Sequence, residues 1–121
     1  LILVDTTIWI DHFRRGDRTL ARLLDEGSVS IHACVLGELA LGHLPQRTRL
    51  LNELGRLPRV NRATDEEVAA LIESERLYGL GIGFGDAHLL AATRLTPETT
   101  LWTRDRLLRD VAETLGVASA L

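Results

Sequence analysis

The sequence predicts an α/β fold built on a mainly parallel sheet. Three observations carry that expectation. The continuous apolar run Leu1-Ile2-Leu3-Val4 has the length and composition of a strand buried on both faces. Further short strand candidates follow at Ser28–Ile31, Arg59–Asn61 and Thr100–Thr103. Between them lie segments with apolar residues at helical spacing, mostly closed by glycine or proline.

After the first strand, Thr6 to Phe13 shifts to helical spacing, and Gly16 closes it. Asp17 to Glu26 carries Leu20, Leu23 and Leu24 at i, i+3 and i+4, then Gly27, which predicts an amphipathic helix with a glycine stop. Ser28-Val29-Ser30-Ile31 alternates as a strand does, and Cys34 to Gly42 reads as a compact apolar helix. Arg47 to Leu57 places Leu50, Leu51, Leu54 and Leu57 on one face ahead of Pro58. Thr64 and Glu67 have capping-box spacing, so a helix should start there and run to about Tyr78 with Val68, Leu71 and Ile72 inward. Gly79, Gly81, Gly83 and Gly85 mark a turn, after which Asp86 opens a helix to about Leu95. Asp105 to Leu115 forms the final helix, stopped by Gly116.

A chain of 121 residues and 13.4 kDa suits one domain spanning residues 1–121. Apolar residues make up 45%, enough for a core, and the 24 leucines make that core mainly aliphatic. The 14 basic residues are all arginine, against 17 acids, for a net charge of −3. The absence of lysine excludes every mechanism that needs one. The acidic balance disfavours a general nucleic-acid coat, which is usually basic. Cys34 stands alone, which excludes a disulfide framework and a cysteine zinc cluster and fits a reducing compartment. Asp5 ends the opening apolar run, no basic segment precedes it, and no stretch approaches the roughly 20 residues of a membrane span. A soluble, cytoplasmic protein is expected.

In open α/β sheets, ligands bind beyond the carboxyl ends of the strands. Asp5 ends the first strand, Asp105 lies just past the Thr100–Thr103 strand, and Asp86 opens a helix behind the glycine turn. Glu38 is embedded in the apolar stretch Cys34 to Gly42, where burial would be costly without a partner or a metal. Each has an ordinary alternative. Asp5 and Asp86 fit helix N-caps, Asp105 fits a first-turn acid, and Glu38 fits a surface position. Together, with no lysine among them, they suit a hard divalent cation such as Mg²⁺ or Mn²⁺. Thr6, Thr7 and Thr103 add hydroxyls beside the cluster.

Competing motifs fail. The glycine run reads G-x-G-x-G-x-G and follows no strand, so it is not a dinucleotide cradle. A phosphate loop and the aspartate-based phosphatases both rely on lysine, and Thr7 stands where the latter place a second Asp. His12, His32, His43 and His88 share no metal-ligand spacing, although His88 lies two positions from Asp86.

These pieces together resemble the PIN domain, and within it the VapC toxins of bacterial toxin–antitoxin pairs. The matching segments are Leu3-Val4-Asp5-Thr6-Thr7-Ile8-Trp9-Ile10, Glu38-Leu39, Gly85-Asp86-Ala87 with Leu89-Leu90-Ala91-Ala92, and Leu101-Trp102-Thr103-Arg104-Asp105. The resemblance covers nearly the whole chain. It implies a three-layer α/β/α sandwich around a parallel sheet. It also implies that Asp5, Glu38, Asp86 and Asp105 hold Mg²⁺ or Mn²⁺ and cut RNA, with Thr103 supplying a hydroxyl. Thr7 stands where Ser or Asn is commoner, and it keeps the hydroxyl. Homodimers and a cognate antitoxin of the VapB type are implied as partners, the antitoxin covering the groove and able to push an arginine into the acidic site. Transfer RNA and ribosomal RNA are the implied substrates.

The expectation is therefore a metal-dependent endoribonuclease, the toxin of such a pair, leaving a 5′-phosphate and a 3′-hydroxyl. Arg14, Arg15 and Arg104 are candidates for holding the RNA backbone. A binding module of the same fold without catalysis, or a metal-dependent phosphatase acting on small phosphoesters, are the alternatives. Leu20, Leu23, Leu24, Leu50, Leu51 and Leu54 either all pack inside or partly line a groove for an antitoxin or second subunit. Setting the four acids aside leaves 13 acids against 14 arginines, so the acidic balance is partly the site itself.

Overall fold

The computed structural model describes all 121 residues. Its sheet has three parallel strands, β1 (Ile2–Val4), β2 (Val29–Ser30) and β3 (Thr100–Trp102), in the order β2-β1-β3. Leu3 and Val4 are fully buried, as an apolar central strand requires. Leu3 registers with Ser30 on one side and Leu101 on the other.

Two helices, α1 (Thr6–Arg15) and α2 (Arg18–Asp25), connect β1 to β2. Four more, α3 (Ala33–Leu41), α4 (Arg47–Leu54), α5 (Asp65–Ser74) and α6 (Phe84–Leu95), connect β2 to β3, and α7 (Arg106–Thr114) follows. The two crossovers run in opposite directions across the sheet. Right-handed crossovers of that kind cover both faces, which is the expected sandwich. A cluster of 22 buried residues, with Trp9, Leu20, Leu90 and Leu108 among its fully packed members, fills the layers. Ala63, Val68, Ala87 and Ala91 form a smaller cluster where α5 packs on α6.

Local chemistry sets the helix starts. Asp17 Oδ1 accepts from Leu20 N at 2.9 Å, and the Thr64–Glu67 capping box forms with both bonds in place. Several expected boundaries differ. The helix behind Thr64 ends at Ser74, short of Tyr78, because Arg76 takes a positive φ of 54° and Leu77 N turns back to Ile72 O. The α4 helix stops at Leu54 before Gly55, three residues short of Leu57. The α6 helix starts at Phe84, so Asp86 lies inside its first turn. Arg59–Asn61 makes a single parallel bridge, Ile31 to Arg59, in place of a strand. A second bridge, Leu101 to Ala118, extends the opposite edge at a position with no sequence signal.

The N-cap of α3 is His32, whose Nδ1 accepts from Cys34 N at 2.9 Å. That bond fixes the proton on Nε2, which is buried without a partner. Burial first, then Arg62, His88 and Arg59, push this imidazole down to about 4. An unfolded histidine titrates near 6.5. The folded value is the lower one, so this contribution to stability is full above about pH 6.5 and is lost as the pH falls toward 4. The gap is worth at most about 3 kcal/mol. His32→Asn keeps an acceptor for Cys34 N but cannot titrate, so it should flatten the loss. Urea unfolding of both proteins from about pH 7 to about pH 4 measures that slope.

Candidate active site

β2 and β3 flank β1 on opposite sides, so the carboxyl end of β1 is where connections diverge and a crevice opens. Asp5 sits there, 5% exposed. It occupies the N-cap position of α1, and its carbonyl accepts from Ile8 N at 3.1 Å, but its side chain makes no capping bond. Instead, Thr7 Oγ1 and Thr103 Oγ1 both donate to Asp5 Oδ2, at 2.9 and 2.7 Å. Continuing the β1–β3 register places Thr103 level with Asp5, which accounts for the shorter bond. Asp5 Oδ1 takes no protein donor.

Thr103 Oγ1 also accepts from Asp105 N at 3.0 Å, joining the first strand's acid to the last one. Asp105 is the N-cap of α7. Its Oδ1 accepts from Leu108 N at 3.1 Å, and its Oδ2 is free. Asp86 is at the third position of α6, not at the N-cap as expected, because Gly83 starts the helix. Its Oδ2 reaches back to accept from Gly83 N at 3.1 Å, and its Oδ1 is free. Each aspartate thus has one oxygen fixed by the fold and one open.

Glu38 takes the surface position, the second of its two alternatives. Val35 and Leu39 take the inner face of α3, and Glu38 is exposed with no hydrogen bond. It still belongs to the cluster. A Cβ at Gly85 would lie 4.0 Å from Glu38 Oε1, so the start of α6 stands against it. Partial desolvation pushes the Glu38 carboxyl up, followed by repulsion from Asp5 and Asp86, with the Thr6 hydroxyl opposing. Desolvation also pushes Asp86 up, reinforced by Asp5 and Asp105 and opposed by the Gly83 N–H. The acids therefore make one electrostatically coupled row, in which Asp5 and Asp86 act on Glu38 while Asp5 and Asp105 act on Asp86.

No ion pair in the structure uses any of these four acids. Thr6 Oγ1, beside the row, is buried and has only the Glu38 carboxyl to act on. The side chains as they stand bring no three ligands into a closed metal cluster. An oxygen-only donor set, one free oxygen per aspartate and no competing cation suit a hard cation that keeps part of its water shell.

Other candidates fall elsewhere. His88 is buried on the far side of α6, where Nε2 bonds Asp65 Oδ1 at 3.0 Å. Arg15 pairs with Asp11, and Arg104 pairs with both Asp11 and Asp17. Arg14 is exposed, makes no ion pair, and lines a cavity of about 300 Å³ that has Glu38 in its wall. Leu20, Leu23 and Leu54 are buried in the core. Leu24 and Leu50 join Trp9, Phe13 and Leu57 around a second groove of about 200 Å³ between α1, α2 and α4. Asp11 and Asp17 were not singled out from sequence. The signal was available for Asp11, which lies one helical turn from Thr7 on the same face of α1.

Residues 2–114 match the family model of the PIN domain, and the chain belongs to that family. It is similar to ribonuclease VapC32 of Mycobacterium tuberculosis, from strains CDC 1551 / Oshkosh and ATCC 25618 / H37Rv. Identity to each is 41% over 120 residues, covering 99% of this chain and 97% of that protein. The resemblance drawn from the motifs is borne out, as is the α/β architecture.

Two outcomes follow from the geometry. Asp86→Asn removes one repelling charge while keeping an acceptor for Gly83 N. The metal-free protein should melt about 2–4 °C higher, by calorimetry in chelator. Thr103→Val leaves Asp105 N without its acceptor and takes one donor from Asp5, which should cost about 1–3 kcal/mol in denaturant unfolding. Thr103→Ser should restore most of it.

Proposed function

We propose that this chain is a metal-dependent endoribonuclease of the VapC type, the toxin of a toxin–antitoxin pair. The similar protein VapC32 is named a ribonuclease, which supports RNA as the substrate class. The observation that carries the mechanism is the row of four acids, each with a free oxygen and none with a cationic partner.

Asp5, Glu38, Asp86 and Asp105 would hold Mg²⁺ or Mn²⁺. Such an ion neutralises charge on a phosphodiester and acidifies a water. The residues of the chain do the rest. Thr7 and Thr103 keep Asp5 Oδ2 in place, which would leave Oδ1 to hold the ion. Asp86 Oδ2 is held by the Gly83 N–H, which would leave Oδ1 to face the same ion. In-line attack on phosphorus breaks the bond to the 3′ oxygen of the ribose, leaving a 5′-phosphate and a 3′-hydroxyl. Arg14, unpaired beside Glu38, is placed to hold a flanking phosphate.

The groove formed by Trp9, Phe13, Leu24, Leu50, Leu54 and Leu57 suits an apolar segment of a VapB-type antitoxin. Exposed Tyr78, Leu80, Phe84 and Leu107 support a homodimer. No helix is long and apolar enough to cross a membrane.

The test is cleavage of transfer and ribosomal RNA with Mg²⁺ or Mn²⁺ and with chelator. Activity should vanish in chelator and return with metal. Asp5→Asn and Asp86→Asn should each lower it by at least about 100-fold. Variants that cut as fast as the parent would refute the site. Turnover of a small chromogenic phosphoester without RNA cleavage would refute the substrate.

A further inference from the structure

Arg104 lies between Thr103 and Asp105, in the loop that joins β3 to α7. Its guanidinium leaves that loop and crosses to the α1–α2 corner. Nη1 donates to Asp11 Oδ2 at 2.6 Å, and Nη2 donates to Asp17 Oδ2 at 2.5 Å. The guanidinium carbon stands 5.8 Å from the centre of the Trp102 ring, whose face supports it. The backbone N of the same residue donates to Thr7 Oγ1 at 3.1 Å.

These contacts have a definite mechanical effect. Thr7 and Asp11 are one turn apart on α1 and face the same way. Arg104 catches the first with its backbone and the second with its side chain. Two attachment points on one helix face hold the loop against sliding along α1, and a third is needed against rotation. The third point, Asp17, is itself held as the N-cap of α2 and by its N–H bond to His12 Nδ1 at 3.0 Å. The loop fastened in this way carries Asp105, and α1 starts at Asp5.

We propose that Arg104 is a positioning residue, whose fork on Asp11 and Asp17 sets the placement of Asp105 relative to Asp5. The proposal rests on the metal-dependent reading given above. It replaces the sequence expectation that Arg104 holds RNA, because one N–H on each of Nη1 and Nη2 is engaged and two carboxylates already balance its charge. Planarity matters to it, since a lysine ammonium offers no fork that spans two acids.

Three measurements on the full chain test it: Mn²⁺ affinity by calorimetry without RNA, kcat and KM for RNA cleavage, and melting temperature. Arg104→Ala should weaken Mn²⁺ binding about 10–100-fold and lower kcat by a similar factor. KM should stay within about twofold. Arg104→Lys should fail to restore either. Asp11→Asn combined with Asp17→Asn should reproduce the loss, and adding Arg104→Ala to that pair should cost little more. A raised KM with parental kcat and Mn²⁺ affinity would instead assign Arg104 to an RNA phosphate and overturn the proposal. A lower melting temperature, with Mn²⁺ affinity and kcat parental where the protein is folded, would reduce it to a structural pair and overturn it too. A parent that binds no Mn²⁺ removes the underlying reading and this proposal together. A parent that binds normally, with Arg104→Ala binding equally well, removes only the proposal.

Discussion

Two threonine hydroxyls, one from α1 and one from the end of β3, donate to the same oxygen of Asp5. Much of the site follows from that arrangement. A buried carboxylate needs donors, and placing both on Oδ2 satisfies the burial requirement while leaving Oδ1 open. The same choice diverts Asp5 from the ordinary duty of its position. A helix N-cap aspartate normally spends its side chain on the backbone of the following turn. Here the backbone carbonyl of Asp5 starts α1, and the side chain is kept for the crevice. Thr103 transmits the constraint onward by accepting from Asp105 N.

The charge distribution follows the same logic. Arginine is distributed so that many of the acids outside the row have a partner, as in the pairs Arg22–Glu26, Arg49–Glu53, Arg94–Glu75 and Arg109–Glu113. Such exposed pairs contribute little stability individually. Their absence from the row is more informative. Four carboxylates brought together without a counter-charge work against folding, and at Glu38 and Asp86 their repulsion adds to the desolvation that pushes both carboxyls upward. Functional sites commonly hold unfavourable electrostatics of this kind, which the core around Trp9, Leu90 and Leu108 must outweigh.

The strand-end acids were legible in the sequence because each follows a short apolar run, and a parallel sheet gathers such ends at one edge. The capping box at Thr64 was legible because its two bonds are local. Boundaries decided by a single backbone conformation were not. Nothing in the composition of Arg76 announces a positive φ, and the helix before it looks able to continue. The one-residue bridges at Arg59 and Ala118 leave too short a pattern to show alternation. For Glu38 the apolar neighbours left an embedded and a surface position both open. In the fold only Val35 and Leu39 turn fully inward, and Glu38 lies on the exposed rim with Leu41. The partners of Arg104 were hidden for another reason. They lie 87 and 93 residues away in the chain, and only the closed sheet brings them together.

The same sequence separation has a consequence for how the protein is made. Thr103 reaches Asp5 across 98 residues, and Arg104 reaches Thr7 across 97. A ribosome adding about 5–20 residues per second needs roughly 5–20 s to bridge that span. During that time Asp5 has been made but lacks its second hydroxyl, its neighbour Asp105, and the central pairing of β1 with β3. A nascent chain therefore carries no assembled acid row while it is still beside the RNA of the machine that makes it.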